Sequence, residues 1–200
     1  KIGFPVLLKA SAGGGGKGMR KVTSKEDFQS AFESTKREAL KSFANDEVYI
    51  EKFIENPKHI EVQVIADKHR NYRHVFEREC SIQRRHQKII EEAPSSFVDD
   101  ITRDKITNAA IQAAKACGYF NAGTIEFLMD SNKDFYFLEM NTRIQVEHPV
   151  TEFISGIDLV REQISIAAGN KISFKQNDIS IRGYALECRI YAEDPSHNFL

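Results

Sequence analysis

The stretch Lys9–Met19, KASAGGGGKGM, is the part of the sequence that decides the fold. Five of its eleven residues are glycine, and it directly follows the apolar run FPVLL at residues 4–8. Glycine loses more backbone freedom on folding than any other residue, so ordering such a run costs conformational entropy. A run of this kind is expected where a backbone without side chains has a use. Backbone N–H groups without side chains can close over phosphate oxygens, and Lys9 and Lys17 add positive charge. The stretch predicts either a phosphate-binding hairpin flap or a flexible surface turn.

Two better-known glycine motifs do not fit this stretch. Gly13, Gly15 and Gly18 match G-x-G-x-x-G, but a dinucleotide fingerprint needs a helix that opens directly at the loop. The segment MRKV that follows is typical of a strand. The P-loop pattern also fails, because Lys17 is followed by Gly18 rather than by Ser or Thr. A hairpin flap remains, similar in principle to the glycine-rich flap of kinases.

Composition narrows the classes of protein further. The chain has 200 residues and a net charge of −1, which argues against a nucleic-acid-binding protein as a whole. Its three cysteines form no CxxC pair, so we expect reduced intracellular thiols. Apolar runs are too short for a membrane span, and we expect neither a membrane association nor a signal peptide. Because the chain opens without methionine, in mid-strand, we expect a fragment of a longer protein.

Hydrophobic periodicity predicts an α+β protein. We expect a helix capped by Thr23 with Glu26 three residues on, and further helices over TRDKITNAAIQAAKACG and IDLVREQISIAAG. Strands are predicted over residues 4–10, 19–22 and 48–54, over HIEVQVIAD, RHVFERECS, GTIEFLMD and FYFLEMNTR, and over 180–194. The predicted boundary near residues 51–56 separates a small unit, 1–53, from a larger sheet unit, 54–200.

A hairpin of acidic residues gives the second strong signal. If Ser131–Asp134 form a four-residue turn, Glu126 lies directly opposite Glu139, and Asn141 lies on the same face. Like charges in that position are destabilising, unless a cation bridges them or one is protonated. Two carboxylates and an amide oxygen suit Mg²⁺ held together with nucleotide phosphates. The alternative is a pair of exposed acids on a solvated face.

The same alternation continues beyond this hairpin. If the chain stays extended, one polar ribbon forms from Glu139, Asn141, Arg143, Gln145 and Glu147. His148 precedes Pro149, which biases it away from helix. Arg143 could then bind an anion and Glu147 could act as a general base. An ordinary edge strand with alternating charges remains the alternative.

Two further segments carry charge. Arg84, Arg85, His86 and Lys88 lie close together in sequence. They predict a pocket for phosphate or bicarbonate, or else a solvated basic loop. In ALECRIY, alternation places Glu187 and Arg189 on one face, as an ion pair or as site residues.

Together these motifs resemble the ATP-grasp superfamily and, within it, the biotin carboxylases. The resemblance rests on KASAGGGGKGM, EKFIENPKHIEVQV, ERECSIQRRHQKIIEEAP, GTIEFL, FLEMNTRIQVEHPVTE and ALECRIYAEDP. It implies an ATP-grasp fold in which residues 1–53 form a lid subdomain and residues 54–200 carry the metal, bicarbonate and biotin sites. The family normally has an upstream nucleotide-fold domain and a C-terminal continuation, so the resemblance implies that these 200 residues are part of a longer enzyme.

The resemblance also implies roles for individual residues. ATP would be bound by Lys9, Gly13, Gly14, Gly15, Gly16, Gly18, Met19, Glu51, Lys52, Ile54, His59, Gln83, His86 and Leu128. Mg²⁺ or Mn²⁺ would be bound by Glu126, Glu139 and Asn141. Bicarbonate and biotin would be bound by Lys88, Arg143, Gln145, Val146 and Arg189. The implied catalytic residues are Glu147, Arg189, Arg143 and Lys88. Among them, Glu147 resembles the base and Arg189 the residue that stabilises the biotin enolate.

The implied activity is ATP- and bicarbonate-dependent carboxylation of biotin through carboxyphosphate. The implied partners are a biotin carboxyl carrier protein or domain and a carboxyltransferase, with a homodimer as the full-length enzyme. The implied location is the cytoplasm or the mitochondrial matrix. Two alternatives stay open: an ATP-grasp enzyme with another substrate, such as a carbamoyl-phosphate synthetase or an amide-forming ligase, and a non-catalytic ATP-binding module. We expect the 200 residues alone to be weakly active or inactive.

Overall fold

The computed structural model describes residues 2–13 and 18–199. Within these ranges the backbone forms nine strands and four α-helices. The chain divides into two compact units, Lys1–Asn56 and Pro57–Leu200. All strand pairs are antiparallel, which confirms the predicted α+β class. Among the helices of the described residues, none has the combination of length and apolar character needed to cross a membrane.

The first unit is a three-stranded sheet covered by one helix. Its strands are β1 (Val6–Ala10), β2 (Met19–Val22) and β3 (Val48–Lys52), in the order β2-β1-β3, and its helix is α1 (Lys25–Phe43). Val6, Leu8 and Val22 form the buried core, with Phe28 and Phe32 of α1 packed against it. The apolar face predicted for this helix is therefore the face that covers the sheet.

The N-terminal end of α1 differs from the prediction by one residue. Ser24, not Thr23, is the N-cap, because its backbone is extended and its side chain accepts a hydrogen bond from the Asp27 amide. Asp27 therefore takes the position in the first turn that was predicted for Glu26. At the other end Ala44 adopts a left-handed conformation with φ of 56°, which is unfavourable for a residue with a Cβ.

The second unit is a six-stranded sheet with helices on both faces. Its strands are β4 (Lys58–Ala66), β5 (Tyr72–Arg84), β6 (Gln87–Ala93), β7 (Asn121–Met129), β8 (Phe135–Asn141) and β9 (Ala185–Cys188), in the order β8-β7-β4-β5-β6-β9. Its helices are α2 (Asp100–Ala116), α3 (His148–Ser155) and α4 (Leu159–Ala167). The predicted final strand over 180–194 is shorter than expected, since only β9 is paired there.

Strand β4 lies in the middle of this sheet and separates its two faces. Ile60, Val62 and Val64 pack against α2. The intervening residues point to the opposite face, where Ile65 packs with Leu159 of α4. Because both faces are covered, β4 is buried almost throughout. Its alternating apolar and polar residues therefore mark two different buried faces, and neither face is exposed to solvent.

The hairpin of β7 and β8 has the predicted pairing but not the predicted turn. Near the turn Leu128 pairs with Tyr136, and Asp130 bonds to Asp134 through its backbone, so the connection is one residue shorter than predicted. The register then shifts between the pairs Phe127–Phe137 and Glu126–Glu139. This shift leaves Leu138 as the extra residue of a β-bulge. The bulge compensates for the shorter turn, so Glu126 still pairs with Glu139 as predicted.

Sequence analysis did not predict strand β6. It pairs with β5 through a two-residue turn at Arg85 and His86, whose φ angles are 52° and 65°. Two consecutive positive φ angles are typical of the type I′ hairpin turn, which usually contains Asn or Gly. The basic segment that was treated as a possible loop is therefore a hairpin.

Candidate functional site

The candidate site lies on the sheet face opposite α2, where a row of charged residues crosses four strands. Arg78 of β5 pairs with Glu61 of β4, Glu61 with Glu126 of β7, and Glu126 with Glu139 of β8. Residues paired directly across antiparallel strands point to the same face. Glu61 and Glu126 are buried and Glu139 is exposed. The prediction that Glu126 and Glu139 share a face is confirmed.

Lys88 is a cation that contacts two acids of this row and the nearby Glu147. Its Nζ lies 2.5 Å from Glu61, 2.9 Å from Glu126 and 2.7 Å from Glu147. Burial favours the neutral amine, but Glu61, Glu126 and Glu147 outweigh it and raise the pKa of Lys88. Sequence analysis expected a metal ion or a proton to relieve the Glu126–Glu139 repulsion, whereas the chain supplies an ammonium group of its own to Glu126.

Glu126 is the most heavily contacted carboxylate of the row. Its Oε1 accepts hydrogen bonds from Lys88, Asn141 and Gln145, at 2.9, 3.0 and 2.9 Å. His59 Nε2 lies 3.0 Å from its Oε2. Burial raises the pKa of Glu126, but the contacts with His59 and Lys88 prevail and lower it to about 2. Glu126 is therefore held ionised at neutral pH.

The extended ribbon predicted beyond Glu139 does not form. Strand β8 ends at Asn141, and α3 begins at His148, with Pro149 in its first turn. Proline is well tolerated there because the first helical N–H groups have no partner within the helix. His148 therefore lies in the first turn of a helix, although a residue before proline usually avoids the helical conformation.

The irregular segment between β8 and α3 separates side chains that were expected on one face. Gln145 and Glu147 are buried, whereas Arg143 and Val146 are exposed. Arg143 donates to the backbone oxygen of Ile144 at 3.1 Å. The structure therefore brings Gln145 and Glu147 to Lys88 and Glu126, and leaves Arg143 and Val146 at the surface beside them.

Glu147 lies between two cations. Its Oε1 contacts Lys88, and its Oε2 accepts a hydrogen bond from Arg189 Nη2 at 2.7 Å. Arg189 also contacts the buried Glu91 through Nε, at 2.6 Å. Burial raises the pKa of Glu91 to about 7, although Arg189 opposes the shift. Glu187, predicted on the face of Arg189, pairs with Glu91 across β6 and β9.

Four residues predicted for ATP lie on this second unit. Gln83 donates to His59 Nδ1 at 3.2 Å, and Leu128 pairs with His59 across β4 and β7. The structure therefore brings His59, Gln83 and Leu128 together beside Glu126. His86 is exposed in the β5–β6 turn.

The other predicted ATP residues lie on the first unit. Lys9 pairs with Met19 and contacts Glu51 at 3.2 Å. Burial lowers the pKa of Lys9, but hydrogen bonds with Tyr49 and Glu51 raise it overall. Lys52 ends β3, and Ile54 follows it.

The glycine-rich connection is described only at its ends. Gly13 donates to the Ala10 carbonyl at 2.9 Å. Gly18 has a φ of 71°, and a Cβ there would lie 2.9 Å from the Ala10 Cβ, so glycine is required. Gly14, Gly15, Gly16 and Lys17 lie outside the described residues. The predicted strands on either side, β1 and β2, are confirmed as a hairpin.

The two carboxylates of β7 and β8 are of a type that suits a hard divalent cation, whereas Asn141 directs its Nδ2 rather than its oxygen at Glu126. Glu126 and Glu139 are adjacent on one face, and Glu139 is exposed. Carboxylate oxygens are the ligands that Mg²⁺ prefers. Within the described ranges, the groups of three side chains close enough to share one ion are His59, Glu61 and Glu126, and Glu61, Cys80 and Glu147.

Several residues of this face were not predicted from the sequence. Arg78, Glu61, Gln63, Thr124 and Thr151 are all buried, and Arg78 hydrogen-bonds to the other four. One signal was available for Glu61 and Gln63, because polar residues at alternate positions of a strongly apolar strand need buried partners. Thr151 gave no comparable signal, since its helix was not predicted.

The fold and the acidic face together define an α+β protein with the ATP-grasp fold. The model of the family "Carbamoyl-phosphate synthase L chain, ATP binding domain" matches residues 1–175, and the chain belongs to this family.

Individual relatives confirm the resemblance to biotin carboxylases. Biotin carboxylase 2 of Bacillus subtilis is 59% identical over 199 residues, which cover 100% of this chain and 45% of the relative. A crystal structure of a biotin carboxylase–beta-gamma-ATP complex from Campylobacter jejuni has a TM-score of 0.90 at 54% identity, covering 100% of this chain and 44% of that one. The chain thus spans less than half the length of these relatives.

A third relative was crystallised with ligands named in its description. The biotin carboxylase domain dimer of Hydrogenobacter thermophilus 2-oxoglutarate carboxylase, in complex with MgADP, ADP and bicarbonate, has a TM-score of 0.89 at 52% identity. The alignment covers 99% of this chain and 44% of that chain.

Proposed function

We propose that this chain carries out ATP-dependent carboxylation of biotin by bicarbonate, as the ATP-grasp part of a biotin-dependent carboxylase. The observation that carries the proposal is the convergence of Lys88, Gln145, Glu147 and Arg189 beside the Glu126–Glu139 pair. This places two cations, an amide and a candidate base next to a candidate metal site. The similarity to a domain crystallised with MgADP and bicarbonate supports the same activity.

In the first step, bicarbonate is activated by phosphorylation. A bicarbonate oxygen attacks the γ-phosphorus of ATP, the bond to the β–γ bridging oxygen breaks, and ADP leaves. Glu147 accepts the bicarbonate proton. Lys88, Arg143, Gln145 and Val146 bind the anion and orient it. Lys88 contacts Glu147 directly, so the cation that attracts the anion also lies beside its base.

Charge on the phosphoryl group must be neutralised during this transfer. Glu126, Glu139 and Asn141 would hold Mg²⁺ or Mn²⁺, which when bound offsets the negative charge of the phosphates. The residues proposed to contact ATP are His59, Gln83, His86 and Leu128. To these the proposal adds Lys9, Gly13, Gly14, Gly15, Gly16, Gly18, Met19, Glu51, Lys52 and Ile54.

In the second step, carboxyphosphate breaks down to CO₂ and inorganic phosphate. The released phosphate accepts the proton from biotin N1, and the N1 electron pair attacks CO₂ to form carboxybiotin. Negative charge develops on the ureido oxygen, and Arg189 stabilises it. Glu147 and Glu91 contact Arg189 through two different nitrogens, which fixes the direction of its guanidinium plane.

The proposed substrates imply the partners. Biotin would be presented on a carrier protein or domain, and a carboxyltransferase would consume carboxybiotin. The active enzyme would be a homodimer in the cytoplasm or the mitochondrial matrix.

Glu139→Gln in the full-length natural protein tests this function. It removes one proposed metal ligand at an exposed position, so the fold should persist. We expect bicarbonate-dependent ATP hydrolysis to fall about 100-fold and Mn²⁺ binding to weaken. Glu33→Gln, an exposed change on α1, serves as the matched control. Unchanged hydrolysis in Glu139→Gln would refute the assignment.

The choice of co-substrate tests the alternatives. We expect free biotin to stimulate ATP hydrolysis by the full-length protein. Stimulation by ammonia or an amine, with none by biotin, would instead favour a carbamoyl-phosphate synthetase or an amide-forming ligase. For the 200 residues alone we expect weak nucleotide binding and little turnover, and robust turnover would contradict us.

A further inference from the structure

Arg78 is a fully buried arginine at the end of the charged row. A guanidinium group carries five N–H donors, and here all five have a partner. The acceptors and distances are Glu61 (2.5 Å), Gln63 (2.8 Å), Thr151 (2.8 Å), Thr124 (3.2 Å) and Gln145 (3.1 Å). Arg78 thereby connects β4, β5, β7, the segment before α3, and α3 itself.

Two of these acceptors face the candidate site with their other polar atoms. Arg78 donates to Gln145 Oε1, and this leaves Gln145 Nε2 to donate to Glu126 at 2.9 Å. Arg78 also donates to Glu61 Oε1, and this leaves Glu61 Oε2 for Lys88. The two ends of an amide differ in chemistry, so the contact with Arg78 determines which end of Gln145 meets the site.

We infer that Arg78 is a positioning residue for the bicarbonate pocket. It fixes the amide orientation of Gln145 and the carboxylate of Glu61, and through Glu61 it fixes Lys88. Arg78 is buried and acts through these two neighbours. The inference rests on the proposed function, because Gln145 and Lys88 are the bicarbonate residues of that proposal.

Arginine is needed at this position for a geometric reason. Its planar fork holds several acceptors at fixed angles, whereas lysine is a flexible point charge with three donors. Arg78→Lys therefore keeps the charge beside Glu61 and leaves at least two of the five acceptors without a donor. Gln145 would be free to turn its amide, and the pocket for the anion would lose its defined shape.

The test compares Arg78→Lys with wild type in the full-length natural protein. The measurements are the KM values for bicarbonate and for ATP in bicarbonate-dependent ATP hydrolysis, together with the melting temperature. We expect the KM for bicarbonate to rise about tenfold or more, with the KM for ATP changed by less than about twofold. Arg73→Lys is the matched control, because Arg73 lies on the same strand and its side chain hydrogen-bonds only to the Tyr72 carbonyl among the described residues.

A purely structural role would lower the melting temperature and the active fraction without separating the two KM values. A folded Arg78→Lys protein with an unchanged KM for bicarbonate would overturn the inference. If Arg78→Lys does not fold, Thr151→Val decides, since it removes one acceptor of Arg78 and keeps the side-chain shape. An unchanged KM for bicarbonate in Thr151→Val would also overturn the inference. A wild-type protein without bicarbonate-dependent hydrolysis would overturn the proposed function, and the inference with it.

Discussion

Lys88→Met is the substitution that tests the electrostatics of the site most directly. It replaces an ammonium that contacts three carboxylates with an apolar side chain of similar length. Glu61 keeps its contact with Arg78, and Glu147 keeps its contact with Arg189. Glu126 is thus the carboxylate left without a lysine or arginine, and breaking a buried pair in this way typically costs about 3–5 kcal/mol.

The size of the effect depends on pH in a calculable way. An unpaired carboxylate can always take up a proton. The stability lost by leaving it unpaired therefore cannot exceed the free energy of protonating it at that pH. With a reference pKa of about 4.3 and about 1.36 kcal/mol per pH unit, that ceiling is about 4 kcal/mol at pH 7 and about 1 kcal/mol at pH 5. Because His59, Asn141 and Gln145 still contact Glu126, we expect Lys88→Met to lower the free energy of unfolding by up to about 4 kcal/mol at pH 7 and by no more than about 1 kcal/mol at pH 5.

The measurement is urea denaturation at both pH values, with a chelator present to remove divalent ions. Lys105→Met is the control, because Lys105 is an exposed residue of α2 on the other face of the sheet, and it should change stability by less than about 0.5 kcal/mol. An equal loss of stability at pH 7 and pH 5 would refute the reasoning, since lost packing does not depend on protonation.

Three further predictions concern single side chains. Ala44→Gly should stabilise the first unit by about 0.5–1 kcal/mol in thermal denaturation, because glycine adopts the left-handed conformation without a Cβ clash. Ala168 also follows a helix, but its backbone is right-handed. An equal gain in stability from Ala168→Gly would therefore contradict this cause. Ser24→Ala should cost about 1 kcal/mol and Thr23→Ala much less, and the reverse order would show that the helix begins earlier. The raised pKa of Glu91, about 7, means that its ionised form is disfavoured in the fold, so wild-type stability should fall as pH rises from about 4.5 through 7. Glu91→Gln stays neutral at every pH. Its free energy of unfolding relative to wild type should therefore be higher at pH 8 than at pH 5. A stability difference that is the same at both pH values would contradict the titration of Glu91.

Local sequence signals predicted most of the fold. Hydrophobic periodicity located α1, α2 and α4, and alternation located the strands of both units. Strand β6 was missed because its turn contains Arg85 and His86 instead of the Asn and Gly that mark such turns. Helix α3 was missed because the restriction on a residue before proline was given more weight than the tolerance for proline in the first helical turn.

The site was less predictable than the fold, for a reason that its residues make clear. Glu126 and Glu139 face each other as a local hairpin requires, and a single hairpin can be inferred from sequence. Lys88 contacts Glu126 and Arg78 contacts Glu61 through pairings across the whole sheet, and these depend on a strand order that no local pattern specifies. The roles assigned to the remaining residues stay predictions.

The β-bulge at Leu138 makes the length of the β7–β8 turn independent of the pairing of Glu126 with Glu139. The connection between β7 and β8 decides how the strands leave the turn, but the bulge decides which residue lies across from Glu126. Exposed tips of hairpins are where insertions and deletions are most readily tolerated. A lineage that gains one residue at this tip can lose the bulge in compensation, so the surface of the hairpin is free to evolve while its acidic pair stays in place.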